Sequence, residues 1–88
     1  MRLSPASRPS PLRIRRLLRG LRLVDVEHAT GLPALLISRL ERGEGPPSTA
    51  ALAELARYYA TDTARLHAEM DRWAIGEARR FALVGQAR

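Results

Sequence analysis

The chain has no cysteine and no lysine, only four aromatic residues, and no apolar run close to the roughly 20 residues of a membrane span. Without cysteine there is no disulfide, no thiolate metal site and no thiol nucleophile, so 88 residues must be held by packing or by association. A single core of this size supplies only about 3–5 kcal/mol, which favours association with a second copy. The lack of a long apolar run excludes a transmembrane helix, and the N-terminus carries no apolar middle region of the signal-peptide kind. A soluble protein in a reducing cytoplasm is the expectation.

Arginine, by contrast, is abundant. All fifteen basic residues are Arg and the formal net charge is +6. Residues 1–42 hold nine of them against Asp25, Glu27 and Glu41, whereas residues 43–88 hold six against six acids. A basic excess confined to one half points to a polyanion, and with no membrane-inserting apolar face beside it, nucleic acid fits better than lipid. A GC-rich genome would also favour Arg over Lys, but that accounts for the residue type and not for its placement.

Residues 1–10 contain two prolines and three serines with few apolar groups, and read as a flexible basic arm in which Arg2 and Arg8 can trail along phosphates. A first helix follows over 11–19, with Ser10 as cap, Pro11 at its first position and Gly20 as its end. Leu12, Leu17 and one of Ile14 or Leu18 are expected inward, and Arg13, Arg15 and Arg19 outward. A second short helix spans 23–30, with Val26 and Ala29 as its buried positions and Gly31 as its end; Arg22 stands where a Ser or Thr cap is preferred, and Asp25 compensates in part through the helix dipole.

The third helix begins at Gly-Leu-Pro and closes at Gly43, with Pro33 suited to a first helical position and Arg39 and Arg42 to the negative end. Leu32, Leu36 or Ile37, and Leu40 recur at helical spacing, leaving Ala34, Leu35, Ser38, Arg39 and Arg42 for display. After a stiff loop over 44–47, Ser48 caps a fourth helix whose stripe is Leu52, Leu55, Ala56 and Tyr59. Asp62 caps the last helix, which runs without proline to about Val84 and has Gly76 as a point where it is expected to kink or split. Its seam of Leu66, Met70, Trp73, Phe81 and Val84 is longer than a four-helix core needs. It is read as a homodimer contact, with folding back onto the same chain as the alternative.

A short helix, a glycine turn and a helix closed by Gly43 make a helix-turn-helix arrangement, in which the later helix can enter the DNA major groove. The run from Leu21 to Leu32, then Ile37-Ser38-Arg39-Leu40-Glu41-Arg42-Gly43 and Pro47-Ser48, resembles the Cro/phage-repressor (Xre) family over roughly residues 11–70. The helix pattern and the resemblance together give an all-α, five-helix repressor-like domain over 11–70, and the apolar seam marks residues 71–88, continuing the last helix, as a dimerisation segment. The resemblance further implies a bacterial or phage transcription regulator, nucleoid-associated, that binds a two-fold-symmetric operator in double-stranded DNA as a homodimer, most often as a repressor.

By the same resemblance, Ala34, Leu35, Ser38 and Arg39 match base-reading positions, and Arg22, Leu23, Pro33 and Arg42 match positions near phosphates. Arg39 is the strongest base reader, because a guanidinium fork fits the O6 and N7 acceptors of guanine, while Ala34 and Leu35 offer only apolar contact to a thymine methyl. Arg16 and Glu41 match an ion pair between the first and third helices, and Glu41, next to the inward Leu40, would want a partner on its own account. The chain departs from the family at Arg22, Leu23, Pro33 and Glu27, the last standing where Ala is usual.

Two alternatives stay open, one from the Arg-containing last helix and one from the apolar reading surface. One is an antitoxin-type regulator whose last helix holds a protein toxin; the other is an adaptor that binds a protein partner through Leu35 and Leu36. Other chemistry is thin. His28 and His67 fall on different helices with no metal-ligand spacing, Trp73, Tyr58 and Tyr59 read as core or interface, and Glu69 and Asp71 lie beside Arg65 and Arg72 on an ordinary solvated face. No metal, no cofactor and no enzymatic activity is expected.

Overall fold

Ser10 and Pro11 begin the first helix as their residue types predict: the buried Ser10 Oγ accepts a hydrogen bond from the Arg13 N–H at 3.2 Å, and Pro11 occupies the first turn. The computed structural model describes residues 8–44 and 48–86, with side chains through Ala82, and contains five helices and no strand among the described residues. These are α1 (Pro11–Leu18), α2 (Leu23–Thr30), α3 (Ala34–Glu41), α4 (Thr49–Tyr58) and α5 (Thr63–Gln86). The greater part of the arm, the loop at 45–47 and the side chain of Val84 lie outside the described residues.

Ser48 caps α4 through the Ala51 N–H at 3.3 Å, and the Asp62 carboxylate accepts from the Arg65 N–H at 3.0 Å at the start of α5. α5 runs for 24 residues and is a single helix through Gly76, with no break. α2 packs on α3, α4 on α5, α1 on both α3 and α5, and α2 on α4. They enclose a small apolar core of Leu12, Val26, Ile37, Leu40, Ala51, Leu52, Leu55, Ala56, Tyr59 and Leu66.

Within this core lies one ion pair. Arg16 Nε meets Glu41 Oε2 at 2.7 Å and a second guanidinium nitrogen meets Oε1 at 2.9 Å, a two-pronged contact with both side chains nearly buried. The remaining donor of Arg16 reaches the Leu21 carbonyl at 2.9 Å, so one side chain ties α1 to the end of α3 and to the turn before α2. Its hydrogen bonds to Glu41 hold the guanidinium pKa above its ordinary value against the opposing effect of burial. Beside the pair, Tyr59 is 3% exposed, stacks at a tilt on Tyr58 and carries the Arg19 guanidinium over its ring at 5.0 Å.

Several sequence expectations are corrected by the packing. Leu17 is 51% exposed, because α1 turns the Leu12–Arg16 side inward and Leu17 falls off that stripe. Ala29 is exposed for the same reason, since α2 packs through Leu23 and Val26. The dimer seam divides. Leu66 is fully buried in the core of its own chain and is not open to a second copy, while Met70 is half-buried against that core. Trp73 donates its indole N–H to the Arg8 carbonyl at 3.0 Å and lays its ring over Gly43, whose backbone sits at φ +68°. A Cβ at Gly43 would lie 2.7 Å from the Trp73 ring, so both the turn conformation and the indole require glycine there. The Arg8 N–H also donates to Glu77 at 3.0 Å, which fastens residues 8–10, assigned by composition to the arm, against α5.

Two stability outcomes follow from this arrangement. Removing one member of the buried pair should cost about 3–5 kcal/mol, as much as the core supplies, so Glu41→Ala should lose most of its helical circular dichroism, whereas the Arg16→Met, Glu41→Leu double variant should fold. An unchanged urea midpoint for Glu41→Ala would deny the pair that role. Burial, with Glu41 nearby, pushes the Tyr59 phenol up to about 12. The folded state therefore favours the protonated phenol, and this stabilisation is complete below pH 10 and lost as pH rises from 10 to about 12. The buried hydroxyl has no hydrogen-bond partner among the described residues, so Tyr59→Phe should keep its denaturation midpoint at pH 7 and lose less of it at pH 11 than the wild type.

Candidate nucleic-acid interface

The turn between α2 and α3 is built from three residues. Gly31 closes α2 in the left-handed conformation at φ +79°, its N–H donating to the Glu27 carbonyl at 2.8 Å. Thr30 Oγ1 donates back to the Val26 carbonyl at 2.8 Å and accepts from the Leu32 N–H at 3.2 Å, which fixes the chain's exit direction. Pro33, expected at the first helical position, is instead the cap residue of α3 with extended backbone (ψ 139°), and the helix begins at Ala34. Ile37 and Leu40 are buried, so α3 is anchored on that side and shows the opposite one.

On the displayed side the sequence-predicted residues are brought together but differ in state. Leu35 is 61% exposed and Arg39 is exposed, with no hydrogen bond or ion pair from its guanidinium among the described residues. Ala34 is half-buried. Ser38, half-buried as well, accepts a short hydrogen bond from Arg42. Arg42 also forks onto Glu44 at 2.8 and 3.2 Å, which lowers the Glu44 carboxyl pKa and raises that of Arg42. A base reader and a phosphate contact expected from the sequence are therefore bonded to each other.

At the start of α2 the Asp25 carboxylate accepts from the Arg22 backbone N–H at 2.7 Å and pairs with its guanidinium at 3.0 and 3.2 Å. The side chain that fills the missing cap is thus three residues downstream of the cap position. Hydrogen bonding to Arg22, through side chain first and backbone second, holds the Asp25 carboxyl below the ordinary carboxylate range. Leu23 packs its side chain against the core and has only its backbone N–H to offer a phosphate. Leu36 is likewise half-buried against the core, which leaves Leu35 alone as the exposed apolar group of the adaptor surface weighed from sequence.

Three of the arginines before α2 are engaged within the fold. Arg15, expected outward, pairs with Glu69 of α5 at 2.7 Å, Arg16 is held by Glu41, and Arg19 covers Tyr59. Sequence reasoning missed Glu27 as a contact in this region. Its Oε2 accepts from the Ala34 N–H at 3.2 Å, across the turn. The only sign of it in the sequence is that Glu27 stands where an Ala is usual.

Among the described residues no group of three His, Cys, Asp or Glu is placed to hold a metal ion, and no helix is long and apolar enough to cross a membrane. His67 lies 3.2 Å from Asp71 on the same helix. A family model described as a helix-turn-helix domain matches residues 11–69, from the first residue of α1 into the second turn of α5. No curated protein and no solved structure matches the chain.

The Asp25 contact has a direct readout. In Asp25→Ala the Arg22 amide should exchange with deuterium much faster than in the wild type, while the Val26 amide inside α2 keeps its protection. Equal protection of Arg22 in both proteins would show that the carboxylate does not hold the helix start.

Proposed function

Because the chain belongs to this helix-turn-helix domain family, we propose that it is a sequence-specific DNA-binding transcriptional regulator of the Cro/phage-repressor type, a homodimer on a two-fold-symmetric operator that represses by occlusion. The observation that carries this reading is Arg39, an exposed guanidinium that makes no hydrogen bond or ion pair among the described residues, on the displayed face of a helix whose other side is buried. Such a group in the major groove reads guanine through two parallel hydrogen bonds. Leu35, one turn earlier and exposed, supplies an apolar contact to a thymine methyl, with Ala34 at its edge. Arg22 and Arg42 contact phosphates from the two ends of the unit while remaining tied to Asp25 and Glu44, and the first amides of α2 at Leu23 add a further phosphate donor. Pro33 positions the backbone there without donating. On this reading the protein acts in the cytoplasm with the nucleoid and needs no cofactor.

The dimer contact belongs on the distal part of α5. Phe81 is 56% exposed and, with Leu17, lines an open groove of about 400 Å³ between α1 and α5, and Val84 continues the same helix. Because so few cations on the α2–α3 unit are unpaired, the salt dependence per protomer should be moderate, with a log–log slope of about −2 to −3 for two or three phosphates.

Selection of bound sites from a random duplex library should return a two-fold-symmetric motif. Arg39→Ala should weaken the selected site by about 1–3 kcal/mol and relax the preference, whereas Arg42→Ala should weaken selected and random duplexes alike. Equal losses on both duplexes for both variants would reverse these assignments, and failure of the wild type to shift any duplex would end the DNA reading. Light scattering at tens of micromolar should give a dimer mass that Phe81→Glu reduces to a monomer; a wild-type monomer, or a dimer indifferent to that change, would remove the α5 contact.

A further inference from the structure

The basic excess of the first 42 residues does not lie on the helix-turn-helix unit. Residues 1–21 carry six arginines and no acid, whereas residues 22–44 carry Arg22, Arg39 and Arg42 against Asp25, Glu27, Glu41 and Glu44. Of these acids Glu41 is held by Arg16, Asp25 by Arg22 and Glu44 by Arg42. Glu27 is different. It has no cationic partner among the described residues, and its one hydrogen bond is accepted from the Ala34 N–H at 3.2 Å.

That position matters for any polyanion approaching α3. The first turn of a helix presents free amides and a partial positive charge, both of which favour phosphate. In this chain Pro33 has no N–H and the next donor, Ala34, is taken by Glu27 of α2, reaching across the turn. The carboxylate satisfies the amide and offsets the positive end of the helix with a full negative charge. Glu27 Oε1 has no hydrogen bond among the described residues, so that charge is only partly screened by the protein.

We propose that Glu27 is a negative determinant of duplex affinity: its carboxylate holds the start of α3 and repels the phosphates that would approach it, which leaves discrimination to Arg39. The proposal rests on the DNA reading above. Repulsion of this kind acts on the backbone and is therefore independent of sequence, and it weakens as salt screens it.

The test uses the full chain with Glu27→Gln, which keeps an oxygen for the Ala34 N–H and removes the charge, and Glu27→Ala, which removes both. Fluorescence anisotropy against the selected operator duplex and a random duplex should show Glu27→Gln binding both about three- to tenfold tighter at about 50 mM salt, with the gain shrinking at about 300 mM. Glu27→Ala should gain on both duplexes as well, even if its thermal midpoint falls. Unchanged or weaker binding of both duplexes by Glu27→Gln, with the wild type binding the operator normally, would overturn the proposal and leave the DNA reading standing. A loss confined to the operator would also overturn it, by showing that Glu27 accepts from a base. No binding by wild type or variants would refute the DNA reading and this proposal together.

Discussion

The fork of Arg16 onto Glu41 is the constraint that orders the rest of the molecule. An 88-residue chain without disulfides has little apolar surface to bury, and this one places a charged pair among its most buried side chains. Such a pair adds little net stability over apolar residues of the same shape, but leaving either member alone is costly, so the pair accepts one arrangement of its elements. Arg16 fixes the end of α3 and, through the Leu21 carbonyl, the turn that leads into α2. Both helices of the helix-turn-helix unit are therefore positioned by one side chain of α1.

A second constraint is the fate of the arginines. Counting charge along the chain makes the N-terminal half a strongly basic surface. Folding removes much of that surface: Arg15 is drawn to Glu69, Arg16 to Glu41 and Arg19 to the ring of Tyr59, while Arg22 and Arg42 are bonded to carboxylates within three residues of them. The displayed face of α3 is left with a sparse set of groups, of which Arg39 is the unpaired cation and Leu35 the exposed apolar side chain. A face of this composition gains its selectivity from a few directed contacts more than from bulk attraction.

α5 shows how a seam read from periodicity divides in three dimensions. Leu66 and Met70 share spacing with Trp73 and Phe81, but the first two lie in or against the core of their own chain, and Trp73 sits where the closing turn of α3 passes at Gly43. Phe81 is beyond that reach and remains exposed. Periodicity reports which side of a helix is apolar and carries no record of how far along the helix the rest of the chain extends. The Ser and Asp caps, the end of α2 at Gly31 and the central core positions were legible, because each depends on a residue and its near neighbours. Leu17 and Ala29 were not, since a short helix tolerates a rotation that moves one position in or out.

The sequence by itself determined five helices, most of their starts and stops, most of the core, and a helix-turn-helix unit closed by Gly31 and Gly43, for the reason that capping and helical periodicity are local. Only the tertiary structure decided which charges remain available. The Asp25 cap, the reach of Glu27 across the turn to Ala34, the bond between Arg42 and Ser38 and the pairing of Arg15 with Glu69 all depend on side-chain length and on where the elements meet in space. Arg39 stands apart from the other arginines of the unit because its guanidinium makes no hydrogen bond or ion pair among the described residues and feels Glu44 only through space, a property of the fold that no spacing in the chain expresses.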